Sequence, residues 1–242
     1  MDFKKAHAIF KRDFGAYFNS PIAYIVIIAF LVITGWLFFG GFFGAGGQEA
    51  SMRSFFGMAP LFFAIFCPAI TMRLLAEERR SGTIQLLATM PVRDIEVVVG
   101  KYMAAMGLIV VCLLLTVPWA LSVEYVADPD WGPILGGYLG LLLMCSGYIA
   151  VGVMASALST NQISAFVIAF LICLAFYLMG KVLPMLPDSL VGIVEMLSFD
   201  HHFQNIARGV VDSRAIIYYL SVTTFGLAAA DQALEARKWA TA

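Results

Sequence analysis

A run of fifty residues without a charged side chain, from Trp131 to Gly180, limits the folds open to this chain more than any other feature. One α-helix of that length would measure about 75 Å at 1.5 Å per residue. The hydrocarbon core of a bilayer is about 30 Å thick, so the run is too long for a single span. The polar quartet Ser-Thr-Asn-Gln at 159–162 is the natural turn. We therefore predict two membrane spans joined at this quartet.

The composition extends this prediction to the whole chain. Its 242 residues are 61% hydrophobic and 13% charged, whereas soluble domains are about 45–50% apolar and about 25% charged. A water-soluble core of this size cannot absorb so much apolar surface, so we expect lipid to be the solvent. We predict an all-α membrane protein with six transmembrane helices, at 21–43, 55–72, 102–123, 134–158, 163–180 and 215–230.

The distribution of Lys and Arg predicts the orientation, because positive charge is concentrated in cytoplasmic segments. With the N-terminus inside, eleven of the fifteen Lys and Arg residues fall on the inner side. The loop at 124–130, on the outer side, carries only acidic charges. Both termini are therefore predicted to be cytoplasmic. The inner segments are 1–20, 73–101, 159–162 and 231–242.

The residues before the first span predict an amphipathic helix. Phe3, Phe10, Phe14 and Tyr17 recur at helical spacing, and basic side chains occupy the other faces. Such a helix lies in the interface between membrane and water. It serves either as a simple membrane anchor or as a contact for a partner.

The outer segment 181–214 predicts two further short amphipathic helices. In the second of them, FDHHFQNIARG, Asp200 is a candidate N-cap and Gly209 a candidate helix end. Helices of this kind can re-enter the outer leaflet only where protein or water satisfies their backbone.

The motifs of enzymes are missing from the sequence. Gly100-Lys101 is followed by Tyr102 and has no upstream glycine, so it is not a phosphate-binding loop. The sequence also lacks HExxH, GxSxG and any pair of carboxylates within a predicted span. We therefore expect no catalytic residues, and no basic run indicates nucleic acid as a partner.

No metal or other cofactor is expected either. Adjacent helical residues such as His201 and His202 point about 100° apart and cannot share one ion. The four cysteines lie within apolar runs, where small buried hydrophobic side chains are the expected role. They are Cys67, Cys112, Cys145 and Cys173.

Glycines at four-residue spacing mark a surface where helices can approach closely. Gly132, Gly136 and Gly140 form such a ladder at the start of the fourth predicted span. The ladder serves either helix packing within one subunit or an interface between two subunits.

Between the second and third predicted spans, a charged segment precedes an uncharged one. Five charged residues lie in 73–80, which we call the strut. The chain breaks at Ser81-Gly82, and residues 83–90 then form an apolar segment that ends before Pro91. A helix of eight residues is too short to be stable alone in water. Its apolar surface implies a cover, either a partner or the protein's own N-terminal helix and the lipid.

The string E-R-R-S-G-T-I-Q-L-L-A-T-M-P-V-x-D-x-E-V-V-x-G-K, from Glu78 to Lys101, resembles the signature between spans two and three of ABC-2 type transporter permeases. Six spans, internal termini, an N-terminal interfacial helix and short helices between spans five and six are also similar to that family. The resemblance covers nearly the whole chain. It implies one permease domain over 1–242, with an ABC-2 (type V-like) fold, in the bacterial inner membrane.

The resemblance also implies that this chain and a separate subunit have different roles. The short helix after Gly-Thr would be a coupling helix that docks on a separate ATPase subunit, which itself binds ATP and Mg²⁺. A second permease copy or a related permease chain would complete the membrane unit, and a periplasmic-domain companion is a further candidate partner. The residues implied in coupling are Glu77, Glu78, Arg79, Arg80, Gly82, Thr83, Ile84, Leu86, Leu87 and Pro91.

A closer resemblance concerns the stretch HHFQNIARGVVDSRAIIYYLS, which is similar to permeases of bacterial gliding-motility ABC systems. Two functions are compatible with these resemblances. One is export driven by the ATPase. The other is a non-transporting membrane scaffold that transmits force in a cell-envelope complex powered by the same ATPase.

Overall fold

The computed structural model describes residues 3–44, 52–80, 92–126, 129–185, 187–210 and 212–240, and within these ranges the chain forms helices and no β-strand. An all-helical chain suits a bilayer, because helices satisfy their backbone hydrogen bonds internally. The helices are α1 (Phe3–Asn19), α2 (Pro21–Gly44), α3 (Arg53–Thr71), α4 (Ala76–Arg80), α5 (Asp94–Val126), α6 (Trp131–Leu158), α7 (Gln162–Val182), α8 (Asp188–Leu197), α9 (Phe199–Ala207) and α10 (Ser213–Ala240).

Five of the described helical segments are long and apolar enough to cross a membrane. They are Ala23–Gly40, Arg53–Arg80, Asp94–Tyr125, Trp131–Leu158 and Gln162–Val182. The predicted turn is confirmed, because α6 ends at Leu158 and α7 begins at Gln162. The Asn161 side chain caps α7 by accepting a hydrogen bond from the Ile163 N–H at 3.0 Å.

The sixth predicted span, 215–230, lies within α10, which is not among these five segments. Its apolar part is flanked by Arg214 and Asp231 and is shorter than the roughly 20 residues that a span needs. A sixth span therefore stays a prediction.

Helix α6 is the centre of the bundle. In its most apolar window 78% of the residues are buried, against 17% for α7 at the periphery. It packs against α3, α5, α7, α9 and α10. Small residues permit this close packing: a Cβ on Gly226 of α10 would lie 2.9 Å from the backbone carbon of Ala150.

The two ends of the bundle carry different elements. At one end α1 packs along α5, and α4 lies close to the turn between α6 and α7. We call this the α1 end. At the opposite end α9 packs against α6 and α7 with Phe199, Phe203 and Ile206 fully buried. We call this the α9 end.

One predicted cap is wrong. The N-cap of α9 is Ser198, whose hydroxyl accepts a hydrogen bond from the His201 N–H at 3.1 Å. Asp200 instead lies in the first turn, buried, and forms an ion pair with Lys181 at 2.9 Å. Ser198 takes the cap because its backbone is extended. The end of α9 is confirmed at Gly209, which has a positive φ of 87° and whose N–H donates to the Ile206 carbonyl.

Candidate functional site

The start of the strut, directly after α3, is hydrogen-bonded to α6 in the bundle core. The Ser156 hydroxyl of α6 accepts hydrogen bonds from the backbone N–H groups of Leu75 and Ala76, both at 3.1 Å, and donates to the Met72 carbonyl at 3.2 Å. Leu75 and Ala76 are fully buried. One side chain therefore satisfies the backbone groups that are left over where α3 ends and α4 begins.

A second contact fastens the strut to the turn between α6 and α7. The Arg79 guanidinium donates to the Ser159 carbonyl at 3.1 Å. Hydrogen bonds from a charged donor are roughly twice as strong as neutral ones. The strut is therefore held by α6 at both its beginning and its end.

Four charged side chains join the strut to α1 and α5. Lys101 Nζ lies 2.7 Å from Glu78 Oε1 and 3.0 Å from Asp13 Oδ2. Arg12 bridges the same two carboxylates, with Nε 2.7 Å from Asp13 Oδ1 and a terminal nitrogen 3.3 Å from Glu78 Oε1. Each cation therefore contacts both acids in a closed arrangement, which we call the ion-pair ring.

The ring has no net charge, and three of its four side chains are largely shielded from water, whereas that of Arg12 is 53% exposed. The Lys101 side chain is 3% exposed, and those of Asp13 and Glu78 are 13% and 19% exposed. A buried lysine at this depth needs opposite charges around it, and the two carboxylates supply them.

The ring also shifts the pKa of its members on α1. Burial by itself raises the pKa of Asp13, but hydrogen bonds and charge from Arg12 and Lys101 outweigh it, so this pKa lies below its ordinary value. The hydrogen bond with Asp13 raises the pKa of Arg12. Both groups are therefore held in their charged forms.

Close packing seats α1 on α5. A Cβ on Gly100 would lie 2.8 Å from the Ile9 Cβ, so only glycine permits this approach. One face of α1 thus contacts its own chain, while Phe3 near its start is 78% exposed. The Tyr17 hydroxyl donates to the Ile70 carbonyl of α3 at 3.1 Å, and burial raises the pKa of this tyrosine.

The structure describes the residues on both sides of the predicted coupling segment. Glu77, Glu78, Arg79 and Arg80 form most of α4. After the segment, the Arg93 N–H donates to Glu96 Oε2 at 3.2 Å at the start of α5. The remaining predicted coupling residues lie outside the described residues. They are Gly82, Thr83, Ile84, Leu86, Leu87 and Pro91.

Comparison with known protein families assigns the chain to one of them. The model of the ABC-2 family transporter proteins matches residues 42–228 of the 242. The chain belongs to the ABC-2 family. Membership makes it a multi-pass membrane component and implies an ABC ATPase as a partner. None of the curated proteins matches the chain significantly.

In this ABC-2 protein, two glycines of the predicted ladder pack against another helix of the same chain. A Cβ on Gly136 would collide with the Ile206 carbonyl of α9, and one on Gly140 would lie 3.0 Å from the Phe203 ring. Gly132 is close to Asp130, whose carboxylate caps α6. At Gly136 and Gly140, the space is therefore occupied by α9 of the same chain.

The α9 end of this ABC-2 protein holds the two histidines in separate contacts. His201 lies 3.0 Å from a Glu195 carboxylate oxygen of α8. His202 Nε2 lies 3.2 Å from the Met196 carbonyl, and its ring stacks on Tyr218 at 4.4 Å. Burial lowers the pKa of His202, and the contact with the Met196 carbonyl opposes that shift in part.

Four residues of the site were not predicted from the sequence: Arg12, Asp13, Ser156 and, as a bridging residue, Lys101. One signal pointed to Asp13, because an acid three residues after Phe10 and four before Tyr17 falls on the apolar face of α1. An acid on such a face needs a buried partner. Ser156 carried no comparable signal, since Ser is common in membrane helices that pack closely.

Proposed function

We propose that this chain is the permease subunit of an ATP-driven ABC-2 transporter, and that a separate ATPase subunit docks on residues 81–91. The single observation that carries the proposal is the ion-pair ring. It connects the strut, which leads directly into the docking segment, to two other helices of the bundle. A docking segment with no connection to the other helices of the bundle could not transmit motion to them.

The transmission follows from the contacts. A push on residues 81–91 moves Glu78, which pulls on Lys101 of α5 and Arg12 of α1. Hydrogen bonds to Ser156 and Ser159 pass the same displacement to α6. ATP-driven closure of two ATPase subunits would thus favour one packing of the helices over another, since a ligand shifts an equilibrium through its differential contacts with two states.

The proposal includes an orientation and an assembly. The α1 end faces the cytoplasm of a bacterium, where ATP is available, and α10 is the sixth span of a type V-like fold in the inner membrane. ATP and Mg²⁺ bind to the ATPase, and two permease units form the transport path for export. The likeness to gliding-motility permeases stays a prediction on which none of these steps depends.

Co-purification with the ATPase tests the docking role. Replacement of Leu86 or Leu87 by Asp places an unpaired charge in an apolar contact. Residues central to an interface contribute about 2 kcal/mol or more, so we expect binding to weaken roughly 30-fold or more. The measurement is the amount of ATPase recovered with the tagged permease from membranes.

The matched control is Gln85→Asp, which adds the same charge to the same segment at a polar position. It should retain the ATPase. Equal recovery of ATPase with Leu86→Asp, Leu87→Asp and the wild type would refute docking on this segment.

A further inference from the structure

A cavity of about 370 Å³ lies at the α1 end, between α1, α2, α3, the strut and α5. Ala16 and Tyr17 of α1 line one side, and Ala23 and Val26 of α2 line another. Ligand sites in proteins commonly have volumes of about 300–1,000 Å³. The cavity is therefore large enough for part of a small amphipathic molecule.

The polar lining of the cavity includes a buried guanidinium nitrogen without a hydrogen-bond partner among the described residues. Arg73 lines the cavity, and its Nε is buried and makes no hydrogen bond to the described part of the chain. Lys101, which also lines the cavity, uses two of its three N–H donors on Asp13 and Glu78. A buried donor without an acceptor costs about 1–3 kcal/mol, so an acceptor from outside the chain would relieve a real penalty.

The charges favour an anion as that acceptor. Asp13 and Glu78 line the cavity too, but the ion-pair ring neutralises both. The remaining carboxylate, that of Glu77, is exposed, and water screens it. Arg73 and Lys101 are thus both cations with buried donors that line the cavity.

The apolar part of the cavity lining favours a hydrocarbon chain. Ala23, Val26, Ile70 and Leu108 are all apolar and belong to predicted or candidate spans. On the same helix α2, Ile25 and Ile28 are about 60% exposed to the surroundings of the bundle, which are lipid. The apolar wall therefore continues into the lipid-facing surface.

We propose that this cavity binds one phospholipid from the leaflet at the α1 end. Its phosphate accepts hydrogen bonds from Arg73 and Lys101, and its acyl chains leave along Val26 and Leu108 into the bilayer. The bound lipid joins α1 to the bundle as an additional element of the site. The proposal does not depend on ATPase docking, because the cavity is formed by this chain alone.

Retention of lipid tests the proposal. The full-length chain is reconstituted in nanodiscs of phosphatidylglycerol and phosphatidylethanolamine, released in mild detergent, and its bound phospholipids are counted by native mass spectrometry. The wild type should retain one phospholipid. Arg73→Gln should retain it about tenfold less, which is the loss expected for one charge-assisted hydrogen bond.

Ala16→Trp provides an independent variant, because Ala16 is exposed and lines the cavity, and a large ring there fills the space without disturbing the core. It should also lose the lipid. The matched control is Arg53→Gln at the opposite end of the same span, which should retain it.

Three results would overturn the proposal. The first is unchanged lipid retention in both Arg73→Gln and Ala16→Trp. The second is an equal loss in Arg53→Gln, which would point to loosely attracted lipid around the whole bundle. The third is complete displacement of the lipid by excess inorganic phosphate, which would make the cavity a site for a free anion.

Discussion

The main interactions differ between the two ends of the bundle: ion pairs at the α1 end and aromatic packing at the α9 end. At the α1 end, the ion-pair ring connects three helices through groups that can exchange partners. At the α9 end, Phe199 is fully buried and stacks on Tyr148 and Phe176 with ring centroids 5.0 and 4.6 Å apart. Aromatic packing tolerates little displacement, because a gap below 1 Å already loses much of the dispersion energy. We therefore expect the α1 end to be the movable end and the α9 end to be the fixed end.

The largest expected effect lies at the fixed end. Phe199→Ala removes a side chain that contacts Tyr148, Phe176, Tyr218 and Tyr219, and it should lower the free energy of unfolding by about 3–5 kcal/mol. All four cysteines are buried, so a thiol-reactive dye reports thermal unfolding.

The control for this variant is Phe225→Ala on α10, because Phe225 is 72% exposed. It should leave the unfolding midpoint nearly unchanged. Equal shifts for Phe199→Ala and Phe225→Ala would mean that the α9 end is not held by its aromatic core.

A smaller effect is expected at the movable end. In a double-mutant cycle of Lys101→Met and Glu78→Gln, the two changes should be non-additive by about 1–3 kcal/mol, because both remove the same contact. Asp13 and Arg12 remain paired in every variant, which limits the loss. The same dye assay measures the cycle, and strictly additive changes would show that the contact between Lys101 and Glu78 contributes no stability.

The smallest effect is a difference in pH dependence between the ends. Burial lowers the pKa of His202 below 6.5, so its stabilisation is complete above about pH 6.5 and is lost as the pH falls through the lowered value. The pKa of Asp13 is also lowered, and its contribution is lost only below about pH 4.

Unfolding midpoints measured between pH 7 and 5 should therefore fall in the wild type and fall less in His202→Gln. A variant with the same slope as the wild type would show that His202 does not cause the pH dependence.

The spans and turns were largely predictable, and the contacts between distant residues were not. The uncharged run of fifty residues and its polar quartet predicted α6, α7 and the turn between them, because hydropathy and capping are local properties. The ion-pair ring joins positions 12, 13, 78 and 101, and sequence spacing carries no information on such an arrangement. For the same reason the glycine ladder could be recognised in the sequence, but its contact with α9 could not.

The wrong cap of α9 has a tertiary cause. Ser198 and Asp200 are both good cap residues, but Asp200 lies in the first turn of α9, where it pairs with Lys181. Only the tertiary structure contains that pair. The sixth predicted span was difficult to delimit from the sequence for a different reason. Helix α10 has a short apolar part within a long helix.

Hydrogen–deuterium exchange of the permease–ATPase complex tests most directly whether the ring transmits motion. The account predicts that trapping of nucleotide changes the exchange of both residues 76–91 and α1 in the wild type. In Glu78→Ala, which removes the strut's contacts with both Lys101 of α5 and Arg12 of α1, the change should persist in 76–91 and be much smaller in α1. An α1 that does not respond in the wild type, or that responds equally in the variant, would contradict the account.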